Sequence, residues 1–175
     1  VEFELTEEEL AKLERLPPPE AQGSMSPSDL YLFHCDRYCV VPNSSIMKLL
    51  CSAEEACTPI TEVDLTDNYI GSVGMLPLLE FCDNTPTLSA INLQQQRFTD
   101  KTVETLCIIF EDHTGLKSIN LSKNPLGVKS ARLLLDLLNK NPGIVHLNID
   151  GTYISEDWQA KLQKAVQNNV NRSKR

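Results

Sequence analysis

The side chains most able to do chemistry in this sequence are its three histidines and six cysteines. His34, Cys35, Cys39, Cys51 and Cys57 lie close together in the chain, and zinc accepts thiolate and imidazole ligands. However, no CxxC or HxxxH spacing occurs among them, and Cys35 falls on an apolar position of the pattern described below. We therefore expect no metal site.

Hydrolytic catalysis would need a nucleophile, a base and an orienting group that converge. His34, His113 and His146 are the available histidines, and neither G-x-S-x-G nor a phosphate-cradling glycine loop occurs. We expect no catalytic activity and no bound cofactor. His113 is interpreted as a residue that ends a helix, where a positive charge is favourable.

The elements that would position any site follow a repeated pattern. Residues Leu116–Leu126 read L-x-x-L-x-L-x-x-N-x-L, and similar copies begin at Ile60, Leu88 and Ile144. The four copies follow one another at a fixed period of 28 residues without a gap. Such a copy predicts one strand, with its first, fourth and sixth positions in the core.

Between the copies the apolar spacing changes to that of a helix, as at Met75–Cys82, Val103–Phe110 and Ala131–Leu138. The final helix, 155–170, keeps Trp158 on its apolar face and is predicted to close the array, with a polar tail that frays. Trp158 is expected to be a core residue, or a partner anchor if it is exposed. In the turns that leave the strands, Asn68 and Asn124 are expected to satisfy backbone groups, whereas Gln96 and Thr152 predict looser turns.

The N-terminal part is less regular. A degenerate copy, Leu30–Val40, is interpreted as a first repeat. Residues 6–16 predict a short acidic helix with Thr6 at its cap, and the stretch from Pro17-Pro18-Pro19 to Ser28 predicts a linker. Two arrangements stay open for the helix: it docks on the first repeat, which we favour, or it is a tethered peptide.

The four copies resemble the ribonuclease-inhibitor class of leucine-rich repeats. The resemblance implies an α/β solenoid, a right-handed horseshoe with a parallel sheet on its concave side and helices on its convex side. The expected organisation is an N-terminal cap and linker at 1–29, then a domain at 30–175 with repeats starting near 30, 60, 88, 116 and 144. In size and layout it is also similar to the C-terminal domain of tropomodulin, a family that caps actin filament pointed ends.

The strand residues that point away from the core would form the concave face, which is the expected partner-binding surface. The candidates are His34, Asp36, Arg37, Glu62, Asp64, Asp67, Asn92, Gln94, Gln95, Asn120, Ser122, Lys123, His146, Asn148 and Asp150. In the functional interpretation, the acidic end near Glu62 attracts a basic partner. In the structural interpretation, Asn92, Asn120 and Asn148 form a side-chain ladder that holds the sheet.

Composition limits the classes of partner. A net charge of −8 disfavours nucleic acid, which is bound through Lys and Arg. No apolar run is long enough for a membrane helix, and no signal peptide is visible. Because Cys35, Cys82 and Cys107 fall on apolar repeat positions and no secretory signal is visible, we expect a reducing cytoplasm.

These observations lead to a non-catalytic protein-binding module or scaffold in a larger cytoplasmic assembly. The first alternative is a cytoskeletal regulator of the tropomodulin type, which binds actin pointed ends. The second alternative is a GTPase-activating protein of the RanGAP type, which shares the repeat but uses longer arrays.

Overall fold

The computed structural model describes residues 25–174 as an α/β arrangement. The described residues form six helices and four strands. They are α1 (Pro27–Arg37), α2 (Ser44–Glu55), β1 (Glu62–Asp64), α3 (Gly71–Asp83), β2 (Ala90–Asn92), α4 (Asp100–Phe110), β3 (Ser118–Asn120), α5 (Val128–Lys140), β4 (His146–Asn148) and α6 (Glu156–Ser173).

The four strands form one parallel sheet in the order β1-β2-β3-β4. Glu62 pairs with Ala90, Ala90 with Ser118, and Ser118 with His146, so every pair of strands is offset by 28 residues. The structure confirms a strand in each of the four predicted copies. Each crossover between neighbouring strands contains one helix, as parallel pairing requires.

The core lies between the sheet and the helices. Leu88, Ile91 and Leu93 of one copy are at most 1% exposed, as are the equivalent residues of the next copy. They pack with the apolar stripes of the helices in one continuous cluster. In the last copy, Leu147 and Ile149 are only partly buried, because β4 is an edge strand.

The predicted first repeat at Leu30–Val40 is wrong, because residues 27–37 form helix α1 rather than a strand. Ser26 caps this helix by accepting a hydrogen bond from the Asp29 amide, and Pro27 occupies a position in the first turn, where no amide hydrogen is needed. Ser26-Pro27-Ser28 is therefore a helix start and not part of a linker.

Helices α1 and α2 instead cap the β1 end of the array. The Tyr38 hydroxyl donates to Glu80 of α3 at 2.7 Å, and the Asn43 and Asn68 side chains exchange hydrogen bonds of 3.1 and 2.9 Å. Burial, together with the bond to Glu80, raises the pKa of Tyr38 to about 12. The predicted helix at 6–16 and the proline stretch at 17–19 lie outside the described residues.

A buried column of polar side chains joins the turns that precede the strands. Its members are His113, Asn141 and Asn169, which are spaced by 28 residues. Thr85 holds the equivalent earlier position, but it is only partly buried and donates to the Phe81 carbonyl of its own helix. The Asn141 amide donates to the carbonyls of Phe110 and His113 at 2.8 and 2.9 Å, and it accepts from Gly143. Each such side chain therefore bonds the backbone of the preceding turn.

His113 belongs to this column, and its predicted role as a cation at a helix end is wrong. Its Nδ1 accepts the Leu116 amide hydrogen at 3.0 Å, while Nε2 faces the carbonyls of Cys82 and Thr85. This set of partners assigns the neutral ring with its proton on Nε2.

Helix α6 extends to Ser173, so the predicted fraying of the chain from residue 168 is also wrong. The reason is Asn169, which is 2% exposed. Its amide donates to the carbonyls of Leu138 and Ile144 at 2.9 and 3.0 Å. The last turns of α6 are thus held by the same column that joins the earlier turns.

Replacement of Asn141 tests the column. Asn141→Ala leaves two buried carbonyls without their donor, so we expect the free energy of unfolding to fall by roughly 1–3 kcal/mol. Asn139→Ala, a change at an exposed position in the last turn of the preceding helix α5, is the matched control. Equal urea midpoints for the two variants would show that the column contributes nothing to stability.

A second stability prediction concerns His34, which is 1% exposed and whose ring nitrogens both lack a hydrogen-bond partner within residues 25–174. Burial lowers the pKa of His34, and Glu80 opposes this effect. The unfolded chain therefore binds a proton more readily than the folded chain. As a result, stability is lost as pH falls below about 6.5 toward the folded pKa.

His34→Leu removes this linkage. We expect the variant to be at least as stable as the wild type at pH 8, because it buries no unpartnered nitrogen. Its advantage should grow as the pH is lowered from about 6.5, the ordinary histidine pKa. Urea unfolding at a series of pH values measures this difference, and parallel pH profiles for the two proteins would contradict it.

Candidate protein-binding face

The candidate surface is the face of the sheet opposite the helices, here called the exposed sheet face. In each strand the middle residue is buried or partly buried, and the two flanking side chains point away from the core. The face consists of Glu62, Asp64, Ala90, Asn92, Ser118, Asn120, His146 and Asn148. These side chains are exposed at β1 and β4 and partly buried in the two central strands.

The third residue of each strand folds back on its own turn. Asn120 Oδ1 accepts the Ser122 amide hydrogen at 3.0 Å, and Asn148 Oδ1 accepts that of Asp150 at 2.9 Å. Asp64 and Asn92 make the same bond to the residue two positions on. The predicted ladder of asparagines is therefore wrong in detail, because each forms an Asx turn within its own repeat.

Asp64 shows the electrostatic effect of this geometry. Burial acts to raise its pKa, but hydrogen bonds from the hydroxyl and amide of Thr66 more than compensate, and the pKa lies below the usual aspartate value. The carboxylate is thus charged at neutral pH. Asp64 is also linked to β2 through Thr66. The Thr66 hydroxyl donates to Asp64 and accepts a hydrogen bond of 2.7 Å from the Asn92 side-chain amide.

The turns after the strands are held by a second buried column. The Asn124 amide donates to the carbonyls of Leu93, Leu121 and Ser122, and its oxygen accepts from Phe98. The Gln96 amide also donates to three carbonyls, those of Leu65, Asn68 and Gln94, and its oxygen accepts from Ile70. Gln96 is 1% exposed. The expected looser turn at Gln96 is wrong, because the longer side chain bonds as many backbone groups as Asn124 does, with the Asn68 carbonyl in place of the equivalent of the Leu121 carbonyl.

The loop around Gln96 adapts in its backbone instead. Gln95 and Arg97 both have positive φ angles, 59° and 54°, whereas only Lys123 does so in the Asn124 loop. A left-handed residue other than glycine is uncommon and strained. Thr152, by comparison, bonds only the carbonyl of Ile149 in its own turn, so the prediction of a weaker turn holds there.

Several candidate residues are not on the exposed sheet face. His34, Asp36 and Arg37 lie on helix α1, and His34 is buried, so the predicted role of these three on a concave strand is wrong. Asp67, Gln95, Lys123 and Asp150 are exposed in the loops after the strands. Ser122 is buried and donates to the Gln94 side chain at 3.1 Å.

The structure adds residues that the repeat pattern did not select. A hollow of about 560 Å³ lies between the loops after β1 and β2, and its lining includes Asp67, Tyr69 and Arg97. Tyr69 is 62% exposed. Tyr153 occupies the equivalent position three repeats later and is 78% exposed. The spacing of 84 residues between the two tyrosines is three periods of 28, so the sequence contained a signal for this pair of positions.

At the other end, a groove of about 340 Å³ separates β4 from α6. Its lining includes Leu147, Ile149, Leu162 and Val166, together with Gln159 and Gln163. By contrast, α2 leaves only about 30 Å³ at the β1 end. The two ends of the sheet are therefore covered to different degrees.

The structure brings no metal-binding set together. Within residues 25–174, no group of three His, Cys, Asp or Glu side chains could hold an ion. Cys35, Cys82 and Cys107 are buried thiols, and the six cysteines are unpaired. No helix among the described residues is long and apolar enough to cross a membrane.

Comparisons with known proteins match the fold and show no family. The tropomodulin C-terminal domain of Caenorhabditis elegans superposes with a TM-score of 0.57 at 10% identity, and the match covers 87% of this chain and 82% of that one. Leiomodin-1 actin-binding site 2 superposes with a TM-score of 0.54 at 15% identity, over 77% and 94%. At these identities the likeness concerns the fold, which is leucine-rich-repeat-like.

In sequence, the chain is 26% identical over 132 residues to the Rho GTPase-activating protein gacW of Dictyostelium discoideum. The match covers 70% of this chain but only 12% of that protein. No family model matches the chain.

The Asx turns give a prediction that separates structure from binding on this face. Asn120→Ala removes the acceptor for the Ser122 amide, so we expect a loss of stability of about 1 kcal/mol. Asn120→Asp keeps an acceptor at that position, as Asp64 does naturally, and should unfold at nearly the wild-type midpoint in urea. If Asn120→Asp loses as much as Asn120→Ala, the Asx turn is not the source of the effect.

Proposed function

We propose that this protein is a non-catalytic, cytoplasmic protein-binding module that acts on the actin cytoskeleton. The observation that carries the proposal is the shared fold with two domains of actin-regulating proteins, one of them described as an actin-binding site. In both comparisons, more than four fifths of the other domain is covered. The match therefore extends over nearly the whole domain and is not limited to a few repeats.

The exposed sheet face supports a binding role. Apart from Ala90, its side chains are polar. Glu62 and Asp64, together with Asp67 in the loop after β1, gather negative charge at the β1 end. Glu62 and Asp67 are exposed, and within residues 25–174 neither side chain takes part in a hydrogen bond or an ion pair. Such carboxylates lose no internal interaction when a partner's basic side chains approach. A basic patch on the partner is thus the proposed counterpart.

The side chains that could serve catalysis have structural roles or stand apart. His113 is hydrogen-bonded to backbone groups, and His34 is buried on helix α1. His146 lies on the exposed sheet face. Burial raises the pKa of the Cys107 thiol to about 12, and desolvation raises that of Cys35. Neither thiol is therefore a nucleophile near neutral pH.

The likeness to a Rho GTPase-activating protein does not carry a second proposal. The aligned part is 12% of that protein, so the activity in its name belongs to a far longer chain. Stabilisation of the transition state for GTP hydrolysis is commonly supplied by a positioned arginine. Within residues 25–174, no hydrogen bond or ion pair holds the side chain of Arg37, Arg97, Arg132 or Arg172 in place.

Pointed-end elongation of actin filaments tests the proposal. We expect the 175-residue chain to slow the elongation of filaments whose barbed ends are blocked, in proportion to its occupancy of the pointed ends. An unchanged elongation rate at saturating protein would overturn the actin assignment.

A pair of double variants tests the face. Glu62→Lys/Asp67→Lys should weaken binding roughly tenfold, because like charges then meet across the interface. Glu55→Lys/Asp112→Lys makes the same change in net charge at exposed positions away from the sheet and should bind as the wild type does. Asp64 is left intact because it holds its turn. Equal affinities for both variants would remove the β1 end of the sheet from the interface.

A further inference from the structure

Charge is distributed unevenly along the described chain. Residues 25–100 carry ten acidic and three basic side chains, whereas residues 101–174 carry seven acidic and ten basic ones. The first part thus has a net charge of −7 and the second a net charge of +3. The acidic N-terminal segment, Glu2–Leu13, has five acidic side chains and one basic side chain, Lys12.

The positive charge of the second part has a centre on helices α5 and α6, here called the Trp158 strip. It consists of Arg132, Trp158, Lys161, Lys164 and Arg172. Lys161 Nζ lies 4.3 Å from the centroid of the Trp158 ring, and Arg132 Cζ lies 5.9 Å from it. Both distances fall within the range of cation–π contact.

Helix geometry continues the strip along α6. Lys161 and Arg172 follow Trp158 by three and fourteen residues, which places them on the same side of the helix. Lys164 follows Lys161 by three residues and adjoins it. The acidic residues of α6, Glu156 and Asp157, are confined to its first turn. Within residues 25–174, none of the four cations of the strip has an ion-pair partner.

We propose that the segment Glu2–Leu13 docks on the Trp158 strip of the same chain. Charge complementarity is the first argument: the segment carries −4 and the strip +4. The β1 end, which is the predicted docking place of this segment, is itself acidic and repels it. The second argument is the alternation of acids with apolar residues. Phe3, Leu5, Leu10 and Leu13 can cover the half-buried Trp158 ring while the carboxylates meet the cations.

The length of chain between the two sites permits the contact. Helices α1, α3, α4, α5 and α6 pack as successive neighbours, and neighbouring helices lie about 8–10 Å apart. The boundary of α5 and α6 is therefore about 30–35 Å from α1. The twelve residues from Leu13 to Met25 span about 40 Å when extended. The segment thus reaches the strip without any change in the described fold.

Docking on this strip would regulate which partners reach the C-terminal end of the array. A docked segment covers the basic side chains and the exposed edge of Trp158. A partner with acidic side chains then has to displace the segment. Its apparent affinity for the strip is the intrinsic affinity multiplied by the fraction of molecules in which the segment is not docked. This role is independent of the actin proposal, which places the partner on the exposed sheet face.

Trp158 is the only tryptophan in the sequence, so its fluorescence reports on the strip in the intact 175-residue chain. We expect Glu8→Lys/Glu9→Lys to raise the acrylamide quenching constant of Trp158, because the segment is released. Glu14→Lys/Glu20→Lys makes the same change in charge outside the docked segment and should leave quenching at the wild-type value. In about 1 M salt, where the Debye length is near 3 Å, the wild type should match the released variant.

Two further measurements complete the test. Lys164→Glu/Arg172→Glu in the otherwise wild-type chain should also raise the quenching constant, because the strip then has no net charge although Trp158 and the two cations at its ring are unchanged. Wild-type quenching should also be constant over about a hundredfold range of protein concentration, as an intramolecular contact requires. The proposal is overturned if Glu8→Lys/Glu9→Lys or Lys164→Glu/Arg172→Glu is quenched like the wild type, or if dilution exposes Trp158. The last result would assign the segment of a second copy instead.

Discussion

The structure depends on hydrogen bonds that tie each turn to the turn one repeat earlier. The strands are only three residues long, so the ladder between two strands offers few backbone bonds. Two columns of buried polar side chains supply the rest: one joins the turns before the strands, through His113, Asn141 and Asn169, and the other joins the turns after them, through Gln96 and Asn124. Because each member bonds the preceding repeat, the 28-residue spacing is enforced at both ends of every strand in the centre of the sheet.

Side chains that hold the turns through hydrogen bonds are not free to bind a partner. The Asx-forming residues on the exposed sheet face, such as Asn120, use their oxygens to hold turns, so their replacement would change stability as well as recognition. Glu62 and His146 occupy the first position of their strands, and within residues 25–174 their side chains make no hydrogen bond that holds a turn. Binding and stability are therefore carried by different side chains of the same three-residue strands.

The two ends of the array are closed in different ways. At the β1 end, α1 and α2 bring their own polar contacts, and the Asn43–Asn68 pair replaces the bond that an earlier repeat would make. At the β4 end, α6 leaves a groove beside an edge strand. The charge follows this asymmetry, negative toward β1 and positive toward α6, so the ends suit partners of different chemistry.

The sequence alone determined the strands, the helices between them and the core positions from Ile60 onward, because their side chains repeat with one period and each needs only its neighbours. The buried column at residues 113, 141 and 169 also follows that period, although its members differ in type. What the repeat could not decide was the ends. At Leu30–Val40 a helix start at Ser26-Pro27 outweighed the weak repeat pattern, and Asn169 gained its role only through carbonyls that α5 and the following turn bring together. Only the tertiary structure could show these outcomes, because a terminal residue is fixed by contacts with distant parts of the chain and has no neighbouring repeat on one side.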